Sequence, residues 1–219
     1  MANWKLFKLR LTYHFIFNVN METKMPINEI SVAVIAGGKS QRFGSSKLFA
    51  EFNGKRLLDI ALEIAVLISP NIMLITNEDA WEIDPNIQIF ADNFADMGPL
   101  AGVQSALQNS KTEWTAVLPV DMPFLSAEIY YYLWQFCTHE QPVAVESAKG
   151  LEPLVSIWPK AALGQIELSL KQEELGIFRC LKKLKAKIIR PGQEMKNYKE
   201  QLFININKQN DLNKLQCQG

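Results

Sequence analysis

The stretch Val32-Ala-Val-Ile-Ala-Gly-Gly-Lys-Ser-Gln-Arg-Phe-Gly-Ser-Ser-Lys47 decides how the rest of the chain is read. It opens as an apolar, β-branched run, the pattern of a parallel strand buried on both faces, and breaks into small residues and cations ahead of a helical pattern. Gly37 and Gly38 allow backbone conformations closed to other residues and let N–H groups approach a ligand. Lys39, Arg42 and Lys47 add positive charge to the same short segment, which suits an anion carrying several phosphates. Two familiar glycine loops do not fit. A P-loop needs Gly-Lys-Ser/Thr in succession, whereas Gly44 is followed by Ser45, Ser46 and only then Lys47. The dinucleotide fingerprint needs Gly-x-Gly-x-x-Gly, whereas Gly37 and Gly38 are adjacent.

Downstream, the apolar positions from Leu57 to Ile68 form a wide helical stripe, and Ile72 to Thr76 and Ile87 to Phe90 read as short strands. Trp114 to Val120 is a further buried strand. This alternation implies a single-domain, Rossmann-like three-layer α/β/α fold with a mostly parallel central sheet. Ligands of such sheets sit at the carboxyl ends of the strands, where Asn77 and Asp92 fall. Gly98-Pro-Leu-Ala-Gly102 starts a helix with proline in its first turn, and its glycines allow a ligand near the helix N-terminus. Asp121 ends the strand at 114–120, between Pro119 and Pro123, and points to the same crevice. Mg²⁺ takes one or two carboxylates together with phosphate oxygens and waters, so Asp121 is the expected metal ligand. Ser126 is the better cap for the helix expected over 126–137. The aromatic run Tyr130 to Trp134 is spread around that helix and carries no chemistry.

Further on, the pattern predicts strands over 141–147 and up to Trp158, helices over 161–170 and 173–184, and a strand over 187–190. Lys182, Lys183 and Lys185 suit the negative end of the second helix as well as they suit a phosphate. Leu202 to Asn207 brings Asn205 and Asn207 to one face, ahead of a final helix from about Gln209 with Asp211 in its first turn.

The bulk composition sets bounds. A chain of 219 residues suits one α/β domain, and 23 Lys+Arg against 23 Asp+Glu argues against a nucleic-acid binder. Cys137, Cys180 and Cys217 are far apart and suggest neither disulfides nor a zinc site, which fits a reducing, cytoplasmic setting. His14 and His139 are isolated. Lys5, Lys8 and Arg10 precede an apolar segment that His14 interrupts, with no small-residue cleavage site after it, so neither a signal peptide nor a membrane span is expected. Residues 1–29 are expected to be a disordered or dispensable extension and residues 30–219 the folded domain. Starting the chain at Met21 is expected to leave a soluble, folded protein.

Ala36-Gly-Gly-Lys-Ser-Gln-Arg-Phe-Gly-Ser-Ser-Lys47 resembles the signature Ala-Gly-Gly-x-Ser-x-Arg-Met-Gly-x-Asp-Lys of the molybdenum cofactor guanylyltransferases (MobA-like), within the nucleotide-diphospho-sugar transferase fold. Gly98-Pro-Leu-Ala-Gly102 is similar to the family's Gly-Pro-Leu-x-Gly element. Lys149 to Trp158 is similar to its turn and Pro-Leu strand facing the acceptor, and Phe203-Ile-Asn-Ile-Asn207 to its Phe-x-Asn-x-Asn. The resemblance spans about residues 31 to 216. Ser46 stands where the signature has aspartate, Phe43 where it has methionine, and Ile75 or Thr76 where some members carry a nucleotide-contacting asparagine, to which Asn77 is the neighbour.

The resemblance implies transfer of GMP from GTP to molybdopterin or molybdenum-molybdopterin, with Mg²⁺ as cofactor. By it, Arg42, Lys47 and Asp121 serve catalysis. Ile35, Ala36, Gly37, Gly38, Lys47, Asn77, Asp92, Gly98, Pro99, Leu100, Gly102 and Asp121 hold the nucleotide, and Asn205 and Asn207 the acceptor. It also implies transient contacts with cofactor-biosynthesis proteins and molybdoenzymes. A CTP-dependent molybdopterin cytidylyltransferase, a sugar-phosphate nucleotidyltransferase and a non-catalytic nucleotide-binding module stay open as alternatives.

Overall fold

The computed structural model describes residues 26–36, 47–78, 83–94, 96–138, 140–192, 195 and 198–206, with Lys47 described for its backbone only. The glycine loop with Gly37, Gly38, Lys39, Arg42, Gly44 and Ser46 lies outside the described residues, as do Asn207, Asp211, the final helix expected from Gln209, and residues 1–25.

β1 (Ile30–Ile35) is buried at every position, as its unbroken apolar run predicts. It pairs in parallel with β4 (Asn71–Ile75) on one side and β6 (Trp114–Pro119) on the other. β5 (Gln88–Phe90) extends the parallel set beyond β4. On the other flank β8 (Gly150–Pro159) runs antiparallel to β6, β7 (Val143–Ser147) antiparallel to β8, and β9 (Lys187–Ile189) parallel to β7. Among the described residues the sheet has seven strands in the order β5-β4-β1-β6-β8-β7-β9.

The strand pleat sends alternate side chains to opposite faces, and each face has its own core. Ile30, Val32 and Val34 of β1 join Leu74 and Leu118 beneath α1 (Leu57–Ile68) and α3 (Ala127–Trp134). Ala33 and Ile35 join Met73, Ile75 and Val117 beneath α2 (Pro99–Asn109), α4 (Leu163–Lys171) and α5 (Ile177–Lys183). These are the three layers expected. The aromatic run belongs to packing. Tyr130 is buried with its hydroxyl donating to the Val117 carbonyl at 2.8 Å, and Trp134 meets Trp114 edge-on.

Several element bounds differ from expectation, each for a local reason. Ahead of α1, the chain forms a 3₁₀ turn over Lys47–Phe49 and a hairpin of β2 (Glu51–Phe52) and β3 (Lys55–Arg56). Asn53 and Gly54 both take positive φ at its tip, the combination that a two-residue hairpin turn demands. The helix expected from 173 begins at Ile177, because Glu173 takes a positive φ and ends α4. The strand expected from 141 begins at Val143, after the Thr138–Gln141 bridge and Pro142. Ser126 occupies the cap position of α3, but its side chain makes no cap hydrogen bond. Among the described residues, no helix is long and apolar enough to cross a membrane.

Candidate active site at the carboxyl end of the sheet

Strand ends form the floor of the site. Ala36 N donates to the Ile75 carbonyl at 3.0 Å, Val120 N to the Ile35 carbonyl at 3.2 Å and Thr76 N to the Phe90 carbonyl at 2.9 Å. β5, β4, β1 and β6 therefore leave the sheet side by side, and Asp92, Asn77, Ala36 and Asp121 emerge in one row. Ile35 and Ala36 are themselves buried, so they serve this floor through the main chain. The loop that follows is fixed at its far end by Leu48, which returns fully buried to the core one residue after Lys47.

Asp92 is held on several sides. Asn77 grips it reciprocally, its amide donating to Asp92 Oδ2 at 3.2 Å and its carbonyl oxygen accepting from Asp92 N at 2.8 Å. Ser105 Oγ donates to the Ala91 carbonyl at 2.8 Å. On the other flank, Asn93 Nδ2 donates to Gln104 Oε1 at 3.0 Å and to Gln108 Oε1 at 2.8 Å. Gln104, 1 % exposed, also donates to Glu167 Oε1 of α4 at 3.2 Å. Sequence reasoning missed these tethers. Their signal was a set of polar residues at 104, 105 and 108 on a helix face that otherwise reads as core.

Gly102 completes the setting of this carboxylate. A Cβ there would stand 3.5 Å from Asp92 Oδ1 and 3.3 Å from Ile35 Cγ2, so glycine lets α2 close onto the strand ends. Asp92 Oδ1 is buried there with no hydrogen-bond partner among the described residues. Burial pushes the Asp92 pKa up, and the Asn77 amide offsets part of the rise. Gly98, by contrast, is exposed at positive φ as the cap residue of α2, followed by an exposed Pro99 and a buried Leu100. Gly98 has no side chain with which to cap this helix, whose positive end lies next to Asp92 and the strand ends.

Asp121 sits half-buried on the turn that ends β6, and its carbonyl accepts from Ile206 N at 2.8 Å. That bond brings the C-terminal segment across the site. Phe203 and Ile206 are buried anchors, and Asn205 is exposed beside Asp121. Among the described residues, no three His, Cys, Asp or Glu side chains converge into a metal cage. A half-buried carboxylate at a strand tip offers one hard oxygen ligand, the donor set of a cation that shares its shell with phosphates and water.

Cys137 and Cys180 are not nucleophiles, since burial pushes their thiols up to about 12 and about 11. Lys183 pairs with Glu174, which gives that cation of the 182–185 group a structural partner.

The family model of the MobA-like NTP transferase domain matches residues 32–188. A probable molybdenum cofactor guanylyltransferase of Carboxydothermus hydrogenoformans is 30% identical over 191 residues, covering 86% of this chain and 96% of that protein. A protein of the same description from Geobacillus sp. strain WCH70 is 30% identical over 154 residues, 68% of this chain and 79% of its own. The fold is similar to that of molybdopterin-guanine dinucleotide biosynthesis protein A from Archaeoglobus fulgidus, with a TM-score of 0.72 at 21% identity, covering 86% of this chain and 98% of that one.

Proposed function

The chain belongs to the MobA-like NTP transferase family, and from that membership we propose that it transfers GMP from GTP to the terminal phosphate of molybdopterin, with or without bound molybdenum, releasing pyrophosphate. The observation that carries the reading is the placement of Asp92 and Asp121 at the carboxyl ends of β5 and β6, in one row of strand ends with Ala36 and beside the start of α2.

The reaction needs no protein nucleophile, because the acceptor phosphate attacks the α-phosphorus of GTP and pyrophosphate leaves. Catalysis then rests on placing the two in line and neutralising charge on the non-bridging and leaving oxygens. Asp121 would hold Mg²⁺, which when bound supplies charge neutralisation on the phosphates. Arg42 and Lys47 would serve the triphosphate and the departing pyrophosphate, and amides of the glycine loop would complete the cradle, its root held in the sheet by Ile35 and Ala36. Asn77, Asp92 and the Gly98 to Gly102 turn hold the nucleoside, with Leu100 and Gly102 acting through main chain and close packing. Asn205 and Asn207 would serve the acceptor.

The test is pyrophosphate release by the purified chain supplied with Mg²⁺, molybdopterin and each nucleoside triphosphate in turn. Release with GTP above the others supports the proposal. Preference for CTP moves the chain to the cytidylyl branch, and nucleotide binding without pyrophosphate release makes it a non-catalytic module.

A further inference from the structure

β6, β7 and β9 all end on the same side of the sheet, because β8 runs antiparallel to both β6 and β7 and β9 runs parallel to β7. At the far flank of that side a cavity of about 500 Å³ opens, lined by Glu146, Lys149, Gly150, Arg190, Tyr198 and Glu200. It is an open, mainly polar depression whose volume falls in the range of small-molecule sites, and among the described residues none of those proposed for the nucleotide lines it. It lies two strand positions from β6, about 10 Å at the usual spacing.

One segment joins it to Asp121. Tyr198 donates its hydroxyl to Glu200 Oε1, and Glu200 Oε2 accepts from Ala148 N at 3.2 Å in the β7–β8 turn. The same segment then runs through Asn205 to Ile206, whose N–H reaches the Asp121 carbonyl. An acceptor with its phosphate near Asp121 and a flat ring system at the other end spans this path.

Resting on the guanylyl-transfer reading, we infer that this cavity receives the pterin of the acceptor and that Glu146 recognises its 2-amino group and adjacent ring N–H. A 2-amino-4-oxo heterocycle presents two parallel donors along one edge, and a carboxylate answers both at once. Glu146 is partly sheltered, with 27% of its side chain exposed. Arg190 Nε donates to Glu146 Oε2, which orients the carboxylate, while Oε1 has no hydrogen-bond partner among the described residues. Glu200 has both oxygens engaged in tying the turn, so it forms wall. Burial and Glu200 push the Tyr198 phenol up to about 12, so it stays a donor to Glu200, and its ring packs at 6.3 Å on the buried Phe203.

The test is equilibrium binding of pterin, and of lumazine in which a carbonyl replaces the 2-amino group, to the full chain with Mg²⁺ and an α,β-methylene analogue of GTP. Pterin is expected to bind the native chain at least about tenfold more tightly than lumazine, since a carboxylate facing a carbonyl is repulsive. Glu146→Gln is expected to abolish that preference while leaving the thermal shift with GTP unchanged; the ion pair it removes is a surface one. Equal binding of the two probes, or a preference that survives Glu146→Gln, overturns the inference. Absence of pterin binding in a chain that still responds to GTP overturns it too and leaves guanylyl transfer standing. A pterin preference without any GTP response defeats the guanylyl-transfer reading alone.

Discussion

Asp92 and Asp121 stand at the tips of two strands, yet their surroundings give them different work. Asp92 has one oxygen closed in against Gly102 and the other shared with Asn77. Burial raises its pKa, so the folded state holds its proton more tightly than the unfolded chain, whose value is near 3.8. The stability this contributes is fully present below 3.8 and is lost as pH rises through the folded value. Asp92→Asn is therefore expected to melt higher than the native protein at pH 7, with the gap closing as pH falls towards 3.8, while its nucleotide affinity drops. Melting curves of both proteins across that range check the sign, and a native protein that melts higher at pH 7 would be the contrary result. On the proposed role of Asp121, Asp121→Ala is expected to lower kcat by on the order of 10²-fold or more, since it removes the carboxylate that would hold Mg²⁺ at the reacting phosphates. Its Ile206 hydrogen bond uses the main chain and survives the substitution. Turnover near the native rate with purified Asp121→Ala would remove this carboxylate from the site. The strand-end positions of both aspartates were legible in the sequence because each follows a short apolar run at once or after one residue. The grips of Ser105, Gln104 and Gln108 were not, since they depend on how α2 lies over β5.

α2 shows how an element carries the site. Its start was legible from Gly98-Pro99, whereas the close approach of Ile35 and Asp92 to Gly102 was not, since it depends on how the helix lies on the strand ends. Gly102→Ala gains about 0.5–1 kcal/mol of helix preference but crowds neighbours by a few tenths of an ångström. The expected result is stability near native with modestly weakened nucleotide binding, because Ile35 Cγ2, 3.3 Å from the new methyl, must give way at the strand end and the methyl comes into van der Waals contact with Asp92 Oδ1 at 3.5 Å. Gly102→Val overfills the same space and is expected to cost about 1–3 kcal/mol. Calorimetry for stability and a GTP titration for affinity separate the two effects; unchanged GTP affinity in Gly102→Ala would detach Gly102 from the site. The β2–β3 hairpin was signalled by Phe52-Asn53-Gly54-Lys55 but flanked by strands too short for a period to register. The segment 202–207 illustrates the opposite limit. Its alternation was read as bringing Asn205 and Asn207 to one face, and what the spacing did not show is that Glu200–Phe203 is a 3₁₀ turn and that Ile206 reaches the Asp121 carbonyl through one hydrogen bond.

At the scale of the whole molecule, the parallel half β5-β4-β1-β6 was legible because those strands are interleaved with amphipathic helices. The order β8-β7-β9 on the other flank was not, because inserting β8 antiparallel beside β6 is a tertiary choice that periodicity does not record. The consequence is an asymmetric rim, with Asp92, Asn77, Ala36 and Asp121 over the parallel half and the polar cavity over the other. A nucleotide bound across β5, β4, β1 and β6 ties together strand ends that share both hydrophobic cores, so its binding energy acts on global unfolding rather than on one loop. With Mg²⁺ and GTP at about 100 times the dissociation constant, the added stability is about 2.7 kcal/mol, or roughly 5–10 °C in Tm for a domain of this size. Asp92→Asn and Gly102→Ala are expected to shrink that shift at the same GTP concentration, whereas Glu146→Gln, on the opposite flank, is expected to preserve it. A thermal-shift series over GTP, CTP, ATP and UTP reads the base preference directly: a shift largest with GTP supports guanylyl transfer, one largest with CTP replaces it with the cytidylyl alternative, and a uniform absence of shift removes the nucleotide site from this rim.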